Sequence, residues 1–84
     1  MYLDIKLFVM ETFILKEEYI QLDQLLKAVK LANSGGMAHL MVDDGLVKVD
    51  GFVEKRRRAK IRVGNVIEVS GKKIKVVDKD ELGD

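Results

Sequence analysis

Cysteine, proline and tryptophan are all missing from this 84-residue sequence. Without cysteine there is no disulfide staple, no thiolate nucleophile and no cysteine-based zinc site, and the composition suits a reducing cytoplasm. Histidine occurs once, as His39, so a metal centre or an acid–base pair built on it would have to recruit scattered carboxylates. Aromatic residues are 6% of the chain. They often sit in apolar runs that read as core, which argues against a stacking platform for single-stranded nucleic acid. Apolar runs such as Phe13-Ile14-Leu15 are far too short to span a bilayer, and the opening Met1-Tyr2-Leu3-Asp4-Ile5-Lys6 has none of the pattern of a secretory signal. A chain this short buries only about 60 to 65% of the surface its unfolded form exposes, which leaves little room for a large catalytic cleft.

What is present is charge, unevenly spread. The formal net charge is +1, which by itself says little about partners. Residues 1–54 hold five Lys/Arg against nine Asp/Glu, residues 55–75 hold nine Lys/Arg against Glu68 alone, and the remainder is acidic again. Near-neutrality is therefore a cancellation that conceals a strongly basic segment, and a local field of this kind is what draws in a polyanion.

The pattern of apolar residues predicts an α+β fold: two short helices packed on a small curled, mostly antiparallel sheet with an N-terminal strand. That strand is expected at Ile5-Lys6-Leu7-Phe8-Val9. Leu22, Leu25, Leu26, Val29 and Ala32 form the stripe of an amphipathic helix running to about Ala32. In Asn33-Ser34-Gly35-Gly36, Asn or Gly can take the left-handed residue that ends this helix, and Ser34 is a good N-cap for a second, which would present Met37, Leu40 and Met41 to one side and stop at Gly45. Asp50-Gly51 marks a tight hairpin between Leu46–Val49 and Phe52–Glu54, and Ser70-Gly71-Lys72-Lys73 marks a second between Val66–Val69 and Ile74–Val77. One domain over 1–84 is expected, with an acidic flexible tail over 78–84.

Two segments carry binding chemistry. Lys55-Arg56-Arg57-Arg58-Ala59-Lys60-Ile61-Arg62 offers guanidinium groups suited to bidentate phosphate contacts, with too few acids nearby to neutralise them. The Ser34-Gly35-Gly36 turn leaves helix N–H groups free for a phosphate oxygen, or merely lets one helix reverse into the next. Lys27, Lys30 and His39 are close enough in sequence to flank it, although His39 reads equally as a polar residue on the outer face of the second helix. Asp43-Asp44 lacks the oxygen spacing of a calcium loop and reads as a solvated pair. No catalytic, cofactor-binding or metal-binding residue is expected. Membrane attachment is disfavoured because the first helix opens with Gln21, Asp23 and Gln24 instead of a basic polar face. A major-groove DNA reader is disfavoured because neither helix carries a row of base-reading side chains.

The ordered set Leu22-Asp23-Gln24-Leu25-Leu26-Lys27, Ser34-Gly35-Gly36-Met37-Ala38, Gly45-Leu46-Val47-Lys48-Val49-Asp50-Gly51 and Lys60-Ile61-Arg62-Val63-Gly64-Asn65-Val66-Ile67-Glu68-Val69 resembles a known family. This is the RNA-binding domain named after the fourth protein of the small ribosomal subunit, or alpha-L RNA-binding motif. The Ser-Gly-Gly turn with Glu54-Lys55-Arg56-Arg57-Arg58 looks most like its free-standing YaaA/YbcJ-like branch. Against the broader family pattern, Gln21 replaces a basic residue, Gly35 an arginine, Asp50 an asparagine and Asn65 an acid. Two cations are thus missing from the helical face, and Arg56, Arg57, Arg58, Lys60 and Arg62 could stand in for them.

The resemblance implies a module that binds structured RNA, ribosomal or transfer RNA, with partners in ribosomal particles and a role in ribosome assembly or translation; with the composition above, a non-enzymatic cytoplasmic protein is expected. No membrane and no small-molecule substrate are implied. Lys27, Lys30, Ser34, Gly35, Gly36 and His39 would serve one stretch of backbone, and Lys55, Arg56, Arg57, Arg58, Lys60 and Arg62 another. The rival expectation is a protein-interaction adaptor that docks its basic segment on an acidic partner.

Overall fold

The computed structural model describes residues 9–82. Among these residues seven strands and two helices follow in the order β1 (Val9–Ile14), β2 (Ile20–Gln21), α1 (Leu22–Ala28), α2 (Gly35–Asp43), β3 (Lys48–Val49), β4 (Phe52–Val53), β5 (Lys60–Ile61), β6 (Val66–Val69) and β7 (Lys72–Val77), then a 3-10 turn at Lys79–Leu82. A five-stranded sheet runs β1-β7-β6-β3-β4, and β2 and β5 form a separate two-stranded ribbon. Apart from Val9, the strand expected over residues 5–9 lies outside the described residues, as do the last two residues of the acidic tail. The first strand described starts at Val9 and pairs parallel with β7, from Val9 opposite Lys72 to Ile14 opposite Val77.

Both hairpins form where the glycines predicted them. Asp50 (φ 53°) and Gly51 (φ 90°) turn β3 into β4, and Ser70 (φ 50°) and Gly71 (φ 84°) turn β6 into β7. Positive φ at both central residues matches the right-handed twist of the flanking strands. Alternation then sends Ile67 and Val69 of β6, and Ile74 and Val76 of β7, into the core. They meet Leu22, Leu25 and Leu26 of α1 and Ala38, Met41 and Val42 of α2, all buried.

The helices differ from expectation in two respects. First, α1 ends at Ala28, because Lys30 enters the left-handed region (φ 63°) where Asn or Gly was expected. Leu31 N then donates to Leu26 O at 2.9 Å and Lys30 N to Lys27 O at 3.0 Å, the paired bonds of a Schellman closure. Ala32 is still buried, but by this reversal and not by a further helical turn. Second, α2 buries Ala38, Met41 and Val42, while Met37 and Leu40 face outward, Leu40 at 63% exposure. The small side chain of Ala38 hid this stripe behind the bulkier Met37 and Leu40. Ser34 does cap α2, its Oγ accepting from Met37 N at 3.1 Å.

Candidate nucleic-acid interface

A helix leaves its first N–H groups without partners, and at α1 these partners come from the basic segment. The cap position, Gln21, makes no side-chain cap bond. Instead Leu22 N donates to Ala59 O at 2.9 Å and Asp23 N to Arg57 O at 3.0 Å. The run of cations is therefore a strap tied down by its own backbone, which a freely solvated loop would not be.

Side chains tie the same strap to the far end of α2. Arg57 grips Asp43 through two bonds, Nε to Oδ1 at 3.0 Å and Nη2 to Oδ2 at 2.6 Å. This hydrogen bonding holds the Asp43 carboxyl below its ordinary value and raises the Arg57 guanidinium. Lys55 Nζ donates to the Asp43 carbonyl at 3.1 Å, a cation where the helix dipole favours one. Arg56 folds back on Glu54, Nε to Oε2 at 2.9 Å and Nη2 to Oε1 at 3.0 Å, which likewise lowers the Glu54 carboxyl. Asp43 is thus one half of an ion pair, where the sequence suggested a solvated acid.

Not every cation is so engaged. Among the described residues, the exposed side chain of Arg58 takes no hydrogen bond and no ion pair. Lys60 stands opposite Gln21 in the β2–β5 ribbon, so the cation missing at position 21 has a replacement directly across the strand pair. Lys60 Nζ lies 4.9 Å from the centre of the Tyr19 ring and Arg62 Cζ 5.6 Å from it. Arg62 also reaches Glu18 at a loose 3.5 Å. Tyr19 was not among the residues singled out in the sequence; its place beside Ile20 in a two-residue strand gave no signal.

The second group of site residues sits at the turn between the helices. Lys27 is half-buried and Lys30 exposed, and neither side chain has an ion partner among the described residues. Gly35 and Gly36 open α2, and among the described residues their N–H groups donate to nothing. A Cβ at Gly35 would meet nothing within 4 Å, and one at Gly36 only Ser34 Oγ at 3.9 Å. Space does not demand glycine at either position. The two groups are set apart by the length of α1, about 10 Å for seven residues.

His39 lies between the groups. It neither faces outward nor flanks the turn freely: its ring turns toward α1, with Nε2 3.0 Å from Oδ2 of the buried Asp23. Asp23 Oδ1 also accepts from Gln24 N at 2.8 Å, so the carboxylate is satisfied at both oxygens. Sequence reasoning missed this pair because its members are 16 residues apart and neither stands out alone.

Among the described residues no three His, Cys, Asp or Glu side chains converge to hold a metal, and no helix is long and apolar enough to cross a membrane. The profile of the family described as S4 domain matches residues 13–77. The chain belongs to the S4-domain family. This S4 domain is 41% identical over 69 residues to YbcJ of Escherichia coli (strain K12), spanning 81% of the chain and 99% of that protein. It is 39% identical over 54 residues to RlbA of Bacillus subtilis (strain 168), named as a probable ribosome maturation protein, across 64% of the chain and 76% of that protein. The solution structure of YbcJ from E. coli, described as revealing an alpha-L motif involved in RNA binding, superposes with a TM-score of 0.60 at 32% identity, over 92% of this chain and 96% of that one. The S4 domain thus has the α+β architecture and alpha-L motif that its ordered residues predicted.

Proposed function

We propose that this S4 domain binds structured RNA, ribosomal or transfer RNA, through its phosphate backbone and acts in ribosome assembly or translation, in the cytoplasm. One observation carries the reading: the basic strap is fixed to α1 by its own carbonyls, Arg57 O and Ala59 O, while Arg58 and Lys60 remain exposed on it. Cations held in place before the ligand arrives lose little freedom on binding. The free N–H groups of Gly35 and Gly36, with Lys27 and Lys30, supply a second contact about one helix length away. Likeness to RlbA supports the ribosomal setting.

The test is the salt dependence of binding to a tRNA and to a ribosomal RNA fragment. With about four phosphates neutralised, log K should fall against log salt with a slope of roughly −3 to −4. An affinity insensitive to salt would sink the proposal. The adaptor reading has one observation in its favour: Arg56 and Arg57 already donate to carboxylates, Glu54 and Asp43 of the same chain. An adaptor keeps its partners in a lysate treated with nuclease; an RNA-bound module releases them.

A further inference from the structure

The outer side of the β2–β5 ribbon carries a group that phosphate contacts alone do not account for. Ile20 and Ile61 are register partners, and Ile61 is 1% exposed, so this pair faces the core. Residues one position away on either strand point to the opposite side. There Lys60 stands across from Gln21, and Tyr19 receives both Lys60 Nζ, at 4.9 Å from its ring centre, and Arg62 Cζ, at 5.6 Å. Both distances are within the range of a cation–π contact. Each cation is exposed, Arg62 with half of its side chain open to solvent.

A phosphate needs the cations but has no use for the ring. An unpaired nucleotide uses both, because its base stacks on an aromatic ring or on a guanidinium plane while its phosphate meets a neighbouring ammonium. Gln21 adds an amide with a donor and an acceptor, which can address a base edge. Among the described residues the only carboxylate paired with this face is Glu18, 81% exposed and 3.5 Å from Arg62, a contact loose enough to yield to a phosphate.

Resting on the RNA-binding reading above, we infer that Tyr19, Gln21, Lys60 and Arg62 form a subsite for one unpaired nucleotide of the bound RNA, with its base on the Tyr19–Arg62 pair and its phosphate at Lys60. The domain would then distinguish bulged or looped RNA from continuous duplex. The strap and the helix turn hold backbone in either kind of RNA, so only this subsite should sense the unpaired base.

The experiment compares two labelled two-strand RNA duplexes with blunt ends, one fully paired and one with a single unpaired adenosine, by fluorescence anisotropy at fixed salt. The unaltered protein should prefer the bulged duplex. Tyr19→Leu should lower affinity for it by about 5- to 100-fold, as stacking of one base implies, and leave the paired duplex unchanged, while Tyr19→Phe keeps the preference. Because the chain has no Trp and only two Tyr, Tyr2→Phe leaves Tyr19 as the sole tyrosine. Its emission should be quenched by the bulged duplex and not by the paired one, a readout that leaves the ring in place. Equal affinity of the unaltered protein for both duplexes, equal loss on both with Tyr19→Leu, or absence of quenching overturns the subsite and leaves backbone binding standing. Failure to bind either duplex overturns the RNA reading itself.

Discussion

Asn65 donates its side-chain amide to Asp50, Nδ2 to Oδ2 at 2.6 Å, while the other Asp50 oxygen accepts from Val66 N at 2.9 Å. Asn65 Oδ1 in turn accepts from Arg62 N at 2.7 Å. Asp50 and Asn65, two of the positions at which the sequence departs from the pattern it resembles, are therefore partners in a single hydrogen bond. Asn65→Asp should set two carboxylates against each other and lower stability by about 1–2 kcal/mol. Adding Asp50→Asn should restore most of it. Urea midpoints of the two single variants and the double variant measure the coupling, and additive losses would refute it.

The grip of Arg57 on Asp43 ranks the arginines. Arg58 is free to meet phosphate, whereas Arg57 must first leave a carboxylate. Arg58→Ala should weaken RNA binding about tenfold and reduce the salt slope by about 1, with Arg57→Ala doing less. Asp43→Asn, which releases Arg57, should raise affinity by at most about fivefold. The pair also sets an acid signature. Arg57 holds the Asp43 carboxyl below its ordinary 3.8, so the pair's contribution to stability is in place above that pH and lost as pH falls through the lower folded-state value. Acid titration of Asp43→Asn should lack this component.

At the turn between the helices, local preference is inverted twice. Gly35 and Gly36 stand in helical backbone where a Cβ has room, and Lys30 stands at φ 63° where glycine is the easier choice. Gly35→Ala and Lys30→Gly should each stabilise the fold by about 0.5–1 kcal/mol. Both should weaken RNA binding, the first by covering the free N–H groups and the second by removing a cation. Thermal melts and anisotropy on the same samples check this, and a stabilised variant with unchanged affinity would take its residue out of the interface.

Asp23 and His39 act across the two helices. His39→Ala leaves a carboxylate that is 5% exposed with only the Gln24 N–H, at a cost of about 1–3 kcal/mol. Asp23→Ala should cost a similar amount, and the double variant less than the sum of the two. Chemical denaturation decides it; strict additivity would mean that the 3.0 Å contact contributes nothing to holding α1 against α2.

The parts of the fold that were legible in the sequence are those fixed locally. Asp50-Gly51 and Ser70-Gly71 specify their hairpins through two backbone angles each, and Ser34 specifies the start of α2 through one hydrogen bond. The parts that were not legible depend on distant partners. Val9–Ile14 becomes a strand by pairing with β7, and Ile20-Gln21 by meeting Lys60-Ile61. Within the site, the count of charges located the strap, yet it could not tell Arg57, which faces Asp43, from Arg58, which faces water. That distinction depends on where α2 ends in space.

The parallel pairing of β1 with β7 joins Val9 to Lys72, positions roughly 60 residues apart in a chain made from its N-terminus at about 5–20 residues per second. For roughly 3 to 12 seconds of synthesis β1 exists without the strand it will pair with. All of α1, α2 and the basic strap are translated inside that interval, so the strap's cations are made before the sheet can close over its first strand.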